Sequence, residues 1–340
     1  MTSLGLTASG IGLSRNESGT RFSHSEDPVA LEELRRRIES CLVEPDWDES
    51  WTVYDLQTMP HVEITRFVER GLMTPEFAET ATGSGKGFAV YGEELASIEV
   101  CGADHIRLLA YRTGDELPFL YSLLSMLDDR LESAFTYAFD PFWGYLASRP
   151  EQAGSGLRVY ATLHVPALML TGKLAPVVVG LVKQGFVTSP LWGGAGGIMQ
   201  VSNSGRQGEP EHEGIQKIEI LSKEVVEKER SVRKMFMREN PLQVRDYIGR
   251  AIGLAQHAWN MPFAEAVNLL SAVDVGIKLE VAHVPQLRDE TPFDLMRRLQ
   301  PAQLVTEYDE AKQGGLESPE IDQVRALIMR EVFAGAEVLS

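Results

Sequence analysis

The stretch that most constrains the fold runs from residue 154 to residue 166. A glycine turn at 154–156 precedes a segment, Leu157 to Val165, in which apolar and polar side chains alternate. This alternation predicts a β-strand with one buried and one open face, and Pro166 ends the strand and begins a helix. Arg158 lies near the start of the strand on its polar face, directly after glycines that let a ligand approach the backbone. The pattern favours an anion site at Arg158, although a solvated surface charge is the commoner role for such a residue.

Composition narrows the class of protein. The chain has 340 residues, 44% of them hydrophobic, and a formal net charge of −17. This charge argues against nucleic acid as a partner and suits basic protein surfaces. No apolar run is long enough to cross a membrane, and the first residues lack the features of a signal peptide, so we expect a cytoplasmic protein. Two cysteines, Cys41 and Cys101, predict neither a disulfide framework nor a metal site.

The order of predicted elements divides the chain near residue 238. Before this point, strand and helix patterns mix, and after Asn240-Pro241 every periodic segment is helical. We therefore expect an α+β domain at 1–238 and a helical domain at 239–340. The predicted helices cover 28–42, 60–70, 118–135, 167–184 with an interruption at Pro176, 215–236, 244–259, 262–275, 291–299 and 321–338.

A set of short motifs around the central strand carries a family resemblance. The motif residues are Asp128, Asp129, Tyr137, Ala138, Phe139, Asp140, Gly144, Tyr145, Leu146, Pro150, Gly154, Gly156, Leu157, Arg158, His164 and Pro166. They resemble the ATP:guanido phosphotransferases (phosphagen kinases), above all the bacterial protein-arginine kinase branch, McsB. Several C-terminal pieces also resemble the helical domain of that branch. The resemblance implies a large, mostly antiparallel sheet flanked by helices, followed by an all-α domain like the phosphoarginine-binding domain of McsB.

The chain departs from the family pattern at positions that bind ATP and at positions that orient the acceptor. The family binds ATP with five arginines, because one guanidinium group can donate two parallel hydrogen bonds to phosphate oxygens. Matched to the family motifs, Arg107 and Arg158 remain and Arg15 persists beside them. The other three arginine positions are taken by Gly10, Gly12 and Ser189. On the acceptor side Ala103 replaces the catalytic glutamate and Arg149 replaces the reactive cysteine, so no catalytic residue is retained.

The C-terminal domain carries a second candidate site. The McsB branch recognises phosphoarginine with an Arg-Asp-x-x-Arg-Ala motif, and Asp322, Arg325 and Ala326 match it here, while Ile321 replaces its first arginine. The resemblance implies that Asp322 accepts from a guanidino group and that Arg325 binds its phosphate. By residue type alone, these two are an ordinary surface ion pair.

Three hypotheses follow for the function. The leading one is a pseudokinase that binds phosphoarginine proteins, arginine-rich proteins or a Clp-type AAA+ unfoldase. The second is a working protein-arginine kinase with a rebuilt site, which would use ATP and Mg²⁺ and in which Arg149, Lys86 or Arg112 would restore lost charge. The third is a structural partner in a homodimer, which needs no cofactor.

Overall fold

The computed structural model describes residues 6–44, 47, 50–149, 152–204, 210–288, 290–308, 315–316 and 318–339. Pro150 of the family motif lies outside the described residues. The strands are β1 Ala8–Arg15, β2 Trp51–Tyr54, β3 Gly87–Tyr91, β4 Ala96–Val100, β5 Ile106–Thr113, β6 Phe139–Asp140, β7 Gly144–Tyr145, β8 Leu157–His164, β9 Phe186–Pro190, β10 Ile198–Asn203, β11 Ala282–His283 and β12 Glu337–Val338.

The helices were expected in most of these places. They are α1 Pro28–Leu42, α2 His61–Glu69, α3 Pro75–Ala78, α4 Leu117–Ala134, α5 Pro166–Leu170, α6 Leu174–Lys183, α7 Glu211–Glu239, α8 Pro241–His257, α9 Phe263–Lys278, α10 Pro292–Arg298, α11 Pro301–Glu307 and α12 Pro319–Val332. Many begin with a proline, whose fixed φ and missing N–H suit the first helical position. Hydroxyl or carboxylate caps from Asp27, Thr74, Thr291 and Ser318 satisfy free N–H groups at four of these starts.

One large sheet organises the α+β part, with strand order β2-β3-β4-β5-β1-β8-β10-β9. The neighbouring pairs from β2 to β1 are antiparallel. A core cluster formed by Leu56, Ile64, Phe67, Leu72, Met73, Phe77, Ala81, Phe88 and Val90 joins α2 and α3 to this sheet. The expected fold class, a large antiparallel sheet with flanking helices and a helical C-terminal region, is confirmed.

Two local expectations were wrong. The helical segment after β8 is not interrupted at Pro176, which lies in the first turn of α6, where proline is tolerated. The break instead falls between α5 and α6, at 171–173. The C-terminal part is not wholly helical either, since β11 and β12 form a small antiparallel pair and α12 ends at Val332.

The chain forms two compact units. One contains Ala8–Ala161 and Ser202–Glu219, and the other contains Met1–Thr7, Thr162–Val201 and Ile220–Ser340. Because this grouping differs from a cut at one position, the boundary near residue 238 stays a prediction. Over the described ranges, no helix combines the length and the apolar composition needed to cross a membrane.

Candidate functional site

The candidate site lies on one face of the sheet, where β1 pairs with β5. Gly10, Gly12 and Ser14 stand opposite Tyr111, Leu109 and Arg107. Directly paired residues of an antiparallel ladder project to the same face. The two glycines that replace family arginines therefore share a face with the retained Arg107.

Arg158 joins this face from β8. Its Cβ lies 3.9 Å from the position that a Cβ on Gly12 would occupy. Its guanidinium donates from one terminal nitrogen to the carbonyl oxygen of Asn203 at 2.6 Å. Arg107 and Arg158 are thus brought to the same face, on the two sides of β1.

Arg107 carries an unused donor. Its Nε is buried, and no acceptor among the described residues bonds to it. A buried guanidinium N–H without an acceptor is costly, so this atom is suited to an anion. The nearby acid Asp104 has other partners, since it accepts from Asn16 Nδ2 and from the backbone N–H of Ser148, each at 2.8 Å.

Glu99 is a site residue that the sequence analysis missed. It pairs with Arg107 across β4 and β5, and only 2% of it is exposed. Burial raises the pKa of its carboxyl to about 7, although the charge of Arg107 and a hydrogen bond from the backbone N–H of Thr74 partly offset this. The signal was present in the sequence, because Glu99 is an acid inside the apolar strand Ala96–Val100, where an unpaired charge is rare.

The space above Gly10 is occupied by the side chain of Tyr111. A Cβ on Gly10 would lie 2.9 Å from Cδ2 of Tyr111 and 3.5 Å from Cβ of Tyr160. A Cβ on Gly71 would lie equally close to this side chain, 2.9 Å from Cγ of Tyr111. The Tyr111 side chain is therefore in close contact with two glycine backbones. An arginine at position 10 would collide with it.

Arg15 projects to the opposite face of the sheet, as the alternation along β1 requires. It is 2% exposed, and all three of its guanidinium nitrogens donate to protein acceptors. Asp128 lies 2.7 Å away, and the guanidinium carbon lies 3.6 Å from the centre of the Tyr145 ring. This geometry is that of a structural ion pair, and nucleotide binding by Arg15 stays a prediction without support from these contacts.

The acceptor-side positions hold no catalytic group. Ala103 is exposed in the turn between β4 and β5. The neighbouring His105 is buried, its Nδ1 accepts from the N–H of Glu17, and its Nε2 lies 2.8 Å from the carbonyl oxygen of Arg21. Burial lowers the pKa of His105 despite these partners. Because both ring nitrogens are hydrogen-bonded and the ring is neutral, His105 has a structural role.

The three cations that could restore lost charge, Arg149, Lys86 and Arg112, each have partners of their own. Arg149 is exposed, with Glu76 at 3.6 Å. Lys86 donates to Thr80 at 2.6 Å and lies 5.0 Å from the centre of the Phe77 ring.

Arg112 pairs with Ser9, on the face opposite Gly10, and stacks over Phe119. Arg112 therefore lies on the wrong face to replace an arginine at position 10, and restoration of charge by Arg149 or Lys86 stays a prediction.

A second region holds the fifth arginine position and the loop after it. Ser189 is exposed on β9. In the loop, Trp192 has a φ of +49°. Its indole N–H donates to Gln300 at 2.9 Å, and its ring packs against Phe263 and Phe293. This aromatic contact fixes the loop to helices α9 and α10.

The phosphoarginine motif is built into the interior of the helical part. Arg325 is 1% exposed and donates to the carbonyl oxygens of Leu299 and Met261, at 2.9 and 2.8 Å. Asp322 also accepts from it, and Ala326 is fully buried. The pair is not the surface pair that residue type suggests, and phosphoarginine binding at this motif stays a prediction.

A serine–histidine–aspartate cluster resembles a catalytic triad but lacks a nucleophile. His164 lies 2.7 Å from Asp274 through Nδ1 and 2.7 Å from Ser271 through Nε2. Ser271 donates its only proton to the carbonyl oxygen of Gly196, so it accepts from His164. The three side chains therefore form a structural hydrogen-bonded cluster. Burial would raise the pKa of Asp274, but His164 and Lys278 hold it well below its usual range.

No group of three or more acidic, histidine or cysteine side chains in the described part of the chain is arranged to hold a metal ion. Cys41 and Cys101 are both buried and free, and burial raises the pKa of the Cys101 thiol to about 12. Neither thiol is therefore an activated nucleophile.

Known proteins resemble this chain over most of its length. Residues 33–232 match the ATP:guanido phosphotransferase C-terminal catalytic domain, and residues 241–339 match the protein-arginine kinase McsB C-terminal domain. The protein-arginine kinase of Moorella thermoacetica is 32% identical over 336 residues, which cover 96% of this chain and 93% of that protein. The protein of the same name from Halothermothrix orenii is 29% identical and covers 87% of this chain and 85% of its own length.

Solved structures agree on the fold. A duplicated taurocyamine kinase from Schistosoma mansoni aligns with a TM-score of 0.62 and 19% identity, over 74% of this chain and 38% of that one. A lombricine kinase aligns with a TM-score of 0.57 and 20% identity, over 67% of each chain. With both domain profiles matched and close relatives sharing nearly the full length, this chain belongs to the ATP:guanido phosphotransferase family, in its McsB-like branch.

Proposed function

We propose that this protein is a pseudokinase that acts by binding and has lost phosphoryl transfer to arginine. The observation that carries this proposal is the filled space above Gly10, where the Tyr111 ring takes the room that a phosphate-binding arginine would need. The arginine has not simply been shortened. Its neighbours have packed into the gap, so a single back-substitution would not restore it.

The energetic argument points the same way. A hydrogen bond to a charged group contributes roughly 1.5–3 kcal/mol. Loss of three phosphate-binding arginines therefore weakens triphosphate binding by roughly three orders of magnitude or more. Ala103 has no group that could orient an acceptor nitrogen, which in-line transfer requires.

The residual cations support anion binding at the same face. Arg107 has a buried Nε without an acceptor in the described part, and Arg158 lies across β1 from it. The ligand class that fits is a phosphate-bearing group, including ATP or the phosphoguanidino group of phosphoarginine. The net charge of −17 further favours basic, arginine-rich client proteins.

The proposal also covers the partners, the cellular compartment, the domain limits and the role of the C-terminal motif. The candidate partners are phosphoarginine proteins, a Clp-type unfoldase and a second copy of the chain, in the cytoplasm. The domain limits 1–238 and 239–340 fit the two matched profiles. The buried Arg325 argues for a supporting role in the helical part, and a phosphoarginine contact there would have to use Asp322, whose side chain is 31% exposed.

One observation favours the second candidate, an active kinase that uses ATP and Mg²⁺ with a rebuilt site. Glu99 places a buried carboxylate next to Arg107, where a carboxylate could orient a guanidinium. Against this, Glu99 is nearly inaccessible and already accepts the N–H of Thr74. No metal-holding group of acidic side chains accompanies it among the described residues.

The test combines labelling with ligand-induced stabilisation. The chain is incubated with γ-labelled ATP, Mg²⁺ and an arginine-rich protein, beside the Moorella thermoacetica relative as a positive control. We expect no acid-labile label on the substrate. Label on the substrate would support the rebuilt kinase and overturn the pseudokinase.

In parallel, the melting temperature is measured with ATP and with phosphoarginine, because a ligand that binds the native state must raise it. We expect Arg107→Ala to abolish any rise and Arg112→Ala, on the opposite face of β5, to keep it. No rise with either ligand in the wild type would contradict the binding role and leave the structural one.

A further inference from the structure

The hairpin formed by β6 and β7 exposes aromatic side chains at the surface. Phe139 is 58% exposed, Phe142 is 72% exposed and Trp143 is 49% exposed. The rings of Phe142 and Trp143 lie edge to face, with their centres 5.1 Å apart. Neighbouring apolar side chains left open at one place typically mark an interaction site, and tryptophan is among the residues that contribute most to binding.

Hydrogen bonds hold the hairpin in one conformation. Oδ1 of Asp140 accepts the backbone N–H groups of Phe142 and Trp143, at 2.8 and 2.9 Å. Tyr145 and Gly154 exchange two backbone hydrogen bonds, of 2.7 and 3.1 Å, which tie the second strand to the glycine turn before β8. The aromatic side chains are therefore carried by a backbone that is ordered before any partner arrives, and this order lowers the entropic cost of binding.

The charge around the exposed rings is negative. Asp140 is the only charged residue from 139 to 145, and within the described chain no donor bonds to its Oδ2. Glu132 is exposed near the end of α4 and forms no ion pair with a described base. Its charge reaches the hairpin, since burial raises the pKa of the Tyr145 phenol, Arg15 opposes this rise and Glu132 adds to it. This surface is therefore complementary to a cation.

The inner side of the hairpin already binds a guanidinium. The guanidinium carbon of Arg15 lies 3.6 Å from the centre of the Tyr145 ring, and Asp128 accepts from the same side chain at 2.7 Å. The outer side offers the same two groups, a ring and a carboxylate oxygen, in Trp143 and Asp140. Among the described residues no cation lies over the Trp143 ring, so a guanidinium from another chain can stack there.

We propose that this hairpin binds arginine side chains of a partner protein, with a guanidinium stacked on the ring of Trp143 and hydrogen-bonded to Oδ2 of Asp140. Arginine fits better than lysine, because a planar guanidinium stacks on a ring while it donates hydrogen bonds in its plane, and because it is more weakly hydrated. The net charge of −17 selects a basic partner over an acidic one. The assignment rests on the proposed function, in which arginine-rich proteins are clients. Through Tyr145 the hairpin contacts Arg15, on the sheet face opposite Arg107, so the anion site is not involved.

Fluorescence anisotropy of labelled peptides tests the proposal. The full chain, without nucleotide, is titrated into a peptide of consecutive arginines and into a lysine peptide of the same length, at about 0.15 M salt to screen distant charges. We expect the arginine peptide to bind more tightly. Trp143→Leu keeps an apolar side chain without an aromatic ring and should weaken arginine binding about twofold to fivefold, whereas Trp143→Phe should keep most of the affinity. Adding Asp140→Asn, which can still accept the two backbone N–H groups, should bring the loss to at least about tenfold.

Trp259→Leu is the matched control. This tryptophan is 79% exposed, but Arg330 of the same chain already lies over its ring, at 4.6 Å, so the variant should bind the arginine peptide as the wild type does. The melting temperature first shows that each variant is folded. Equal affinity for the two peptides, an unchanged affinity in the folded double variant, or an equal loss in Trp259→Leu would overturn the proposal.

A wild type that binds neither peptide would overturn the hairpin site and also remove arginine-rich clients from the proposed function. Absence of label on the substrate would still support the pseudokinase in that case, so the two failures are distinguishable.

Discussion

Replacement of Glu99 by glutamine should change how stability depends on pH. The pKa of Glu99 is about 7 in the folded chain and 4.5 ordinarily. Between these values the folded state holds a proton that the unfolded state has lost, so stability falls as the pH rises through this window. The difference corresponds to about 3 kcal/mol, which is fully lost above pH 7. Glutamine cannot ionise, and its carbonyl oxygen can still accept the N–H of Thr74.

Urea unfolding at several pH values between about 5 and 8.5 measures this effect. We expect Glu99→Gln to gain up to about 3 kcal/mol relative to the wild type as the pH rises across this range. Any constant cost of the buried amide cancels in this comparison of slopes. Glu76→Gln, at an exposed position, serves as the control and should follow the wild type. Parallel profiles for Glu99→Gln and the wild type would refute the argument that burial holds this carboxyl neutral.

Three further substitutions test the buried charges. Arg15→Met leaves Asp128 buried without its partner and should lower the free energy of unfolding by about 3–5 kcal/mol in a urea titration; a loss below about 1 kcal/mol would argue against a structural ion pair. Arg325→Met should lower the melting temperature, since two buried carbonyls lose their donor, whereas an unchanged melting temperature with lost phosphoarginine binding would restore the recognition role. Asp274→Asn should destabilise the chain at neutral pH. The stabilisation from Asp274 is present above its ordinary pKa of 3.8 and disappears in acid, so the two unfolding curves should converge there, and curves that stay equally far apart would exclude the pair with His164.

Much of the fold was predictable because local signals agreed with each other. The alternation in β8 and the prolines at helix starts identify elements whose residues leave few alternatives. Strand β1 gave a weaker signal, since glycine and serine have low β-propensity, yet it lies in the middle of the sheet. Its neighbours supply the bulk that its own side chains lack, and the Tyr111 ring over Gly10 is the clearest case.

The site was less predictable than the fold. Motif matching identified the lost arginines, but it could not reveal that the Tyr111 ring fills the space above Gly10, because this depends on packing between separate segments. For the same reason Arg325 looked like a surface residue, since a helical i, i+3 pair is the same in sequence whether it is buried or exposed. Trp192 lies in the loop after the fifth arginine position. Its contact with Phe293 could not be predicted, because the two residues are about a hundred positions apart.

The Trp192 contact also bears on how a ligand would be received. A loop that closes over a substrate must be weakly held before binding, so that the energy of closure comes from the ligand. Here an indole hydrogen bond and two aromatic contacts from within the chain hold the loop. Such a loop cannot report occupancy through its own movement, and substitutions in it should register first as changes in melting temperature.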